Sequence, residues 1–282
     1  MCDILCDLSE PNLTRAIVEN MYAMTPLTHA WPKTEAYQGR DVSWCVTDIG
    51  FPTCNPILRI NLKEESVNGV LAMLTDKARR RRINLHCWVT PQTRPLNMVQ
   101  YLTANGFTKI GEPAAMAVVL DNLNVENRAP RGFTIKEVKD QRSLKAWCKV
   151  AAASFGIPDA VVPSIFDWSA REIELGQPFR FYLGILDGKP VATSNYYLGA
   201  GVCGLYFVGT LPEARNKGIG FSITQKPLLE AKKLGYKAGI LQASKMGRPV
   251  YLKLGFKEYG TIGSYSWILP VLNGGKNGQP VH

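Results

Sequence analysis

The sequence predicts an α/β protein built from two similar halves, and three observations carry that prediction. Residues 204–209 form a short apolar run of strand type, after which Ile219, Ile223, Leu228, Ala231 and Leu234 recur at near-helical spacing; a strand therefore passes through a glycine-bearing loop into a helix. A second alternation follows at once, with a strand at 236–242 and a helix at 244–254. The end of that helix, Tyr251-Leu252-Lys253-Leu254-Gly255-Phe256, is echoed by Tyr101-Leu102-Thr103-Ala104-Asn105-Gly106-Phe107, with the two glycines 149 residues apart (255 minus 106). At 282 residues, 46% hydrophobic and 20% charged, the chain is long enough for two cores and has the composition of a folded globular protein.

In chain order, residues 11–24 read as a helix with Ser9 as its cap and Leu13, Ile17, Val18 and Met21 on one face. Residues 25–40, with Pro26, Pro32 and Gly39, read mostly as loop. Strands follow at 42–47 and 57–62, then a helix at 64–82 with Val67, Val70, Leu71 and Leu74 on one face. A strand at 83–89, a helix at 95–104 and a pair of strands at 108–110 and 115–120 complete the first half. The polar, proline-bearing stretch 121–131 has linker character. Past it come a strand at 133–138, a helix at 141–154 and another from beyond Pro158 to 175, where Val162, Ile165, Phe166, Ser169 and Ile173 share a face. Strands at 179–186 and 190–198 flank Asp187-Gly188-Lys189, a hairpin signal, and a strand from Val202 enters the glycine loop. Pro227 lies inside the helix after that loop and removes one backbone bond, so a kink or a shortened helix is expected. The last strands fall at 257–262 and 265–269, and a flexible tail closes the chain at 271–282.

The loop between strand and helix aims several backbone N–H groups and the positive end of a helix at one point, and Gly218 and Gly220 omit side chains that would block close approach. A phosphate suits such a place. Neither Gly-x-x-x-x-Gly-Lys-Ser/Thr nor Gly-x-Gly-x-x-Gly occurs. Arg215-Asn216-Lys217-Gly218-Ile219-Gly220 instead fits Arg/Gln-x-x-Gly-x-Gly/Ala, and Tyr251 to Phe256 fits Tyr-x-x-x-Gly-Phe. On these two motifs the C-terminal half resembles the GNAT superfamily of acyl-CoA-dependent N-acetyltransferases. The resemblance implies a mixed, mainly antiparallel sheet flanked by helices, with acetyl-CoA wedged beside the strand that ends near Val208 and Thr210. Those two residues would offer backbone groups to the pantetheine arm. The amides of Asn216, Lys217, Gly218, Ile219 and Gly220 would take the pyrophosphate, Arg215 would supply charge, and Tyr251 would protonate the departing thiolate. Ser244 stands where many members have Asn at a coenzyme contact. Carrying the offset of 149 to the loop sets Gly218 over Gly69, read as a helix-start glycine, Arg215 over Ser66, Gly220 over Leu71 and Tyr251 over Leu102. Two tandem GNAT-like domains are therefore expected, a degenerate one at 1–125 and a catalytic one at 126–270.

The implied function is direct transfer of an acetyl group to a primary amine, with a small molecule as the expected acceptor. No base is evident. Asp159, Asp167, Glu172 and Glu174 precede Phe179 on a helix and would attract a cationic amine, but they read first as a solvated face, and a water chain can also serve. That gap leaves a rival, a non-catalytic acyl-CoA-binding sensor or regulatory module, against which Tyr251 argues. The net charge of +10 favours anionic partners, a coenzyme among them. The run Lys77-Ala78-Arg79-Arg80-Arg81-Arg82 lacks interleaved aromatic residues and reads as a solvated helix end; nucleic acid is not expected. Seven scattered cysteines, without a Cys-x-x-Cys pair or a histidine at ligand spacing, indicate neither a disulfide framework nor a metal site. No apolar run approaches the ~18 residues needed to cross a bilayer, and the start lacks the basic region of a secretory signal, so a cytoplasmic protein is expected.

Overall fold

The computed structural model describes residues 4–23, 33–126, 128–176 and 178–270; the tail expected at 271–282 lies outside them. The first half runs α1 (Glu10–Ala23), β1 (Glu35–Gln38), β2 (Ser43–Val46), β3 (Pro56–Leu58), α2 (Glu64–Arg81), β4 (Leu85–Val89), α3 (Met98–Ala104), β5 (Thr108–Gly111) and β6 (Ala114–Val119). The second runs β7 (Phe133–Glu137), α4 (Gln141–Phe155), α5 (Val162–Leu175), β8 (Phe179–Leu186), β9 (Lys189–Gly199), β10 (Val202–Thr210), α6 (Ile219–Lys233), β11 (Ala238–Ala243), α7 (Arg248–Leu254), β12 (Lys257–Thr261) and β13 (Gly263–Trp267). The expected α/β class holds, as two mixed sheets flanked by helices. Local chemistry explains the better-anchored elements. The Asp140 carboxylate accepts the Ser143 N–H at 2.8 Å and caps α4, and Gly156 at φ 63° ends it. Asp187 at φ 48° and Gly188 at φ 78° give the β8–β9 hairpin the positive dihedrals that its short turn requires.

Three local expectations need correction. Residues 35–38, read as loop, form β1, which pairs with β2 and places Tyr37 against Trp44. The strand expected at 57–62 stops at Leu58, because Arg59 adopts φ 50° and turns the chain out of the ladder. The helix expected to start just after Pro158 starts at Val162, after a 3-10 turn over Asp159–Val161.

The larger departure concerns the last strand of each half. The sheets run in the orders β1-β2-β3-β4-β13-β5 and β12-β6-β11-β10-β9-β8-β7, so each contains one strand from the other half of the chain. Strands consecutive in the chain commonly pair, which would join β5 with β6 and β12 with β13. Neither pair forms. Ile262 alone separates β12 from β13, one residue fewer than the shortest common hairpin loop; β13 therefore runs on into the other sheet, where Tyr265 pairs with Cys87 and Lys109. Glu112 and Pro113 separate β5 from β6, and neither suits the positive φ of a tight hairpin. The two crossovers lie side by side, with the Ile262 N–H donating to the Pro113 carbonyl at 3.0 Å. Ala114, Ala115, Met116, Ala117 and Val118 of β6 are all buried, as befits a strand covered on both faces.

Helix α1 also crosses over. Its Leu13, Ile17, Val18 and Met21 pack with Ala115, Ala117, Val202, Ala238 and Ile240 of the second sheet. Buried Asn20 fixes the position: its Nδ2 donates to the Gly199 carbonyl at 2.8 Å and its Oδ1 accepts the Tyr206 hydroxyl at 2.6 Å. Gly204 permits this approach, because a methyl there would overlap the Asn20 side chain. Among the described residues no helix is long and apolar enough to cross a membrane.

Helix α6 continues through Pro227 to Lys233, so it is not cut at the proline. The proline frees the carbonyl of Ile223, four residues back, and the buried Ser194 hydroxyl of β9 donates to that carbonyl at 2.9 Å. A local helix defect thereby becomes a bond between helix and sheet.

Candidate active site

The site begins where two parallel strands part. β10 and β11 pair only at Cys203 with Gly239 and Gly204 with Ile240; beyond that point β10 stays with β9 and β11 stays with β6. The cause is a bulge. Phe207 adopts φ 47°, the β9–β10 register slips between Tyr206 and Gly209, and the Thr193 hydroxyl holds the Phe207 carbonyl at 2.9 Å. Phe207 turns its ring toward α4, 5.4 Å from Trp147 and 5.6 Å from Phe155. Val208 lies within the slipped register and Thr210 ends the strand, so both stand on the diverging edge.

The loop from Thr210 to α6 gathers the expected anion-binding residues. Asn216 at φ 60° and Gly218 at φ 78° alternate with right-handed or extended neighbours, a pattern that turns successive N–H groups inward. Among the described residues, the N–H groups of Asn216, Lys217, Gly218, Ile219, Gly220 and Phe221 have no acceptor in the chain. Space above Gly220 is open, with Thr210 Oγ1 3.8 Å from where a Cβ would stand. Donors without acceptors and a clear approach fit a phosphate. Gly218 has a different reason for being glycine: a methyl there would overlap the backbone carbonyl of Arg128, in the linker between the halves. The cations within the loop are occupied locally. Arg215 Nε donates to the Thr210 carbonyl at 3.1 Å and Lys217 Nζ to the Glu213 carbonyl at 3.1 Å.

Tyr251 lies on α7, 8% exposed, in the cluster that also holds Ile219 and Phe221 from the start of α6 and Ala243 from the end of β11. Its ring packs against Phe256 at 5.8 Å, its hydroxyl has no hydrogen-bond partner among the described residues, and burial raises its pKa. Ser244 is exposed, and its hydroxyl accepts the Gly247 N–H at 3.1 Å at the turn into α7. Cys203 is fully buried and burial pushes its thiol pKa up, so it is no ready nucleophile.

Residues 144–256 match the model of the acetyltransferase (GNAT) family. The C-terminal half carries a GNAT domain. No curated protein matches the sequence. Among solved structures, the fold is similar to a GCN5-related N-acetyltransferase from Kribbella flavida, with TM-score 0.66 and 18% identity over 89% of this chain and 95% of that one. It is also similar to a GCN5-related N-acetyltransferase from Sphaerobacter thermophilus, with TM-score 0.59 and 14% identity over 94% of each chain. A tandem GNAT protein from the clavulanic acid biosynthesis pathway aligns with TM-score 0.58 and 11% identity over 95% of this chain and 97% of that one. These likenesses establish the tandem GNAT-like fold of the whole chain.

Within that fold the N-terminal half lacks the features of the GNAT domain's wedge. β3 and β4 pair in parallel at Pro56 with His86 and Ile57 with Cys87, as β10 and β11 do, but their divergence is closed by the chain itself. Arg94 N–H donates to the Ile60 carbonyl at 2.8 Å and Leu62 N–H to the Arg94 carbonyl at 3.1 Å. Glu64 and Glu65 occupy the first turn of α2, where an anion would meet like charge. Gly69, expected at the helix start, is the sixth residue of α2, so the offset of 149 fits the α3 and α7 ends and fails at the loop.

Glu172, expected on a solvated face, is 1% exposed, and burial pushes its carboxyl up to about 7. Neither of its oxygens has a hydrogen-bond partner among the described residues. Its spacing of seven from Ile165 was the available sign, since that interval returns to the buried helix face. Ser154, Ser169 and Asn195 also carry buried polar atoms without partners among the described residues. They sit on α4, α5 and the adjacent strand β9.

Proposed function

We propose that this protein moves an acetyl group from acetyl-CoA to a primary amine of a small acceptor, with residues 126–270 as the catalytic unit and residues 1–125 as a degenerate copy that braces it. The observation that carries this reading is the divergence of β10 from β11 beside a loop whose amides, from Asn216 to Phe221, have no acceptor among the described residues. Val208 and Thr210 would bind the pantetheine arm through the unpaired strand edge, as an added strand does. Asn216, Lys217, Gly218, Ile219 and Gly220 would hold the pyrophosphate through their amides, and Arg215 would add positive charge while tying the loop to Thr210. Ser244 would border the wedge at the end of β11.

Acetyl-CoA supplies an activated acetyl group, whose C–S bond breaks as the acceptor nitrogen bonds to the carbonyl carbon. Tyr251 would give its phenolic proton to the departing sulfur and recover one from solvent, while the acceptor nitrogen loses its proton to water. Burial keeps the phenol neutral until a thiolate develops, the state a general acid needs. The high thiol pKa of Cys203 supports direct transfer over an acyl-enzyme.

Calorimetric titration of acetyl-CoA into the wild type and Gly220→Leu tests the site, since the open space at Gly220 lets the variant fold. One-site binding that the substitution abolishes is expected. A screen of amines should then show turnover that Tyr251→Phe lowers about 100-fold or more in kcat with binding retained. Turnover unchanged in that variant removes Tyr251 as the acid; binding without turnover of any amine favours the sensor reading; no binding by the folded wild type overturns the proposal.

A further inference from the structure

The linker between the halves forms one side of the phosphate loop. Three contacts hold it there. The Arg128 carbonyl sits against Gly218 so closely that no other residue fits; the Arg128 guanidinium lies over the Phe221 ring at 5.0 Å; and Gln225 Nε2, one turn further along α6, donates to the carbonyls of Asn124 at 3.0 Å and Glu126 at 3.3 Å. The guanidinium thus lies over the ring of Phe221, the residue that also carries the last of the free amides in the first turn of α6.

Arg128 differs in one respect from the cations inside the loop. Arg215 and Lys217 are bonded to loop carbonyls, whereas Arg128 is held by a neighbouring carboxylate, its Nε 2.9 Å and its Nη2 2.6 Å from Glu126 Oε2. That ion pair is exposed, and exposed pairs cost little to exchange for another anion. A phosphate dianion would compete well for a planar guanidinium already stacked on an aromatic ring.

Resting on the coenzyme reading of the loop, we infer that Arg128 is a coenzyme-binding residue supplied by the linker, and that its guanidinium leaves Glu126 to pair with a phosphate of acetyl-CoA. The linker is then part of the site as well as a tether. The site includes a side chain that precedes the GNAT match at 144–256. The phosphate is either the diphosphate or the ribose 3′-phosphate, and 3′-dephospho-acetyl-CoA separates the two.

The experiment titrates acetyl-CoA and 3′-dephospho-acetyl-CoA into the full chain, as wild type, Arg128→Leu, Arg128→Lys and Glu126→Gln. The linker is positioned largely by backbone carbonyls, so the melting temperatures should stay close to that of the wild type. Arg128→Leu should weaken acetyl-CoA binding tenfold or more, Arg128→Lys should recover part of the loss, and Glu126→Gln should bind at least as tightly as the wild type. A loss equal for both ligands assigns Arg128 to the diphosphate; a loss confined to acetyl-CoA assigns it to the 3′-phosphate. Wild-type affinity in Arg128→Leu overturns the inference while leaving the coenzyme site intact. Failure of the wild type to bind either ligand overturns both.

Discussion

The two halves share a sheet-and-helix plan, and the difference that bears on the site lies at the point where two parallel strands diverge ahead of a helix. In the C-terminal half the gap between β10 and β11 stays open, with an eight-residue stretch, 211–218, of left-handed turns and free amides leading into α6. In the N-terminal half the chain at Arg94 stitches the gap shut, residues 59–63 make a shorter link, and two glutamates stand at the helix start. At this point the difference lies in backbone hydrogen bonding and local charge, since both halves bring two parallel strands apart ahead of a helix. The first half has a structural role at this gap: its β6 pairs along all of β11, the far wall of the open wedge. The half without the wedge holds the other half's wedge in shape.

The most severe way to break the comparison is to separate the halves. Residues 126–282 expressed alone lack β6, so β11 and β12 lose the strand between them and β13 loses its sheet. No cooperative thermal transition by circular dichroism is expected; a sharp transition near that of the full chain would show that the exchanged strands can refold at home.

The same substitution should act in opposite directions in the two halves. Gly218→Ala puts a side chain at φ 78° and into the Arg128 carbonyl, and should lower stability by about 2 kcal/mol or more in chemical denaturation and abolish acetyl-CoA binding. Gly69→Ala lies on an exposed face of α2 with nothing within 4 Å, and should raise stability by up to about 1 kcal/mol. Equal effects in the two variants would contradict the placement of Gly69 inside α2.

Each half also buries a titratable group, and the two respond oppositely to pH. Burial lowers His86 to about 4 from 6.5; its ring nitrogens lie 3.2 Å from Ser266 and 3.3 Å from Ser264 of the exchanged strand. The unfolded chain takes up this proton first, so stability falls as pH drops from about 6.5 to about 4. Burial raises Glu172 from 4.5 to about 7, the unfolded chain ionises first, and stability falls as pH rises from about 4.5 to about 7. Each limb is on the order of 3 kcal/mol. Glu172→Gln should flatten the second limb and leave the first, as measured by denaturation at stepped pH; a limb unchanged in the variant would remove Glu172 as its source.

The last substitution tests the proline. Ser194→Ala leaves the Ile223 carbonyl without a donor and should cost about 1–3 kcal/mol, seen as a lower melting temperature with acetyl-CoA binding retained. Unchanged stability would mean that the carbonyl finds another partner.

Strand and helix periodicity and turn chemistry act over a few residues, so the α/β class, the glycine loop, the helix carrying Tyr251 and most elements were legible in the amino-acid sequence. The loop geometry of Arg215 to Gly220 was legible for the same reason: a left-handed loop into a helix start is a local device. The rest came from packing between segments distant in the chain. Single-residue separation of β12 from β13 hints at a failed hairpin, but which sheet takes the strand depends on a partner more than 150 residues away in the chain, since Tyr265 pairs with Cys87. The burial of Glu172, the Asn20 contact with Tyr206, and the Arg128 carbonyl that makes Gly218 a glycine all arise between segments distant in sequence. Such contacts are set by packing geometry, which carries no period for a single stretch of residues to display.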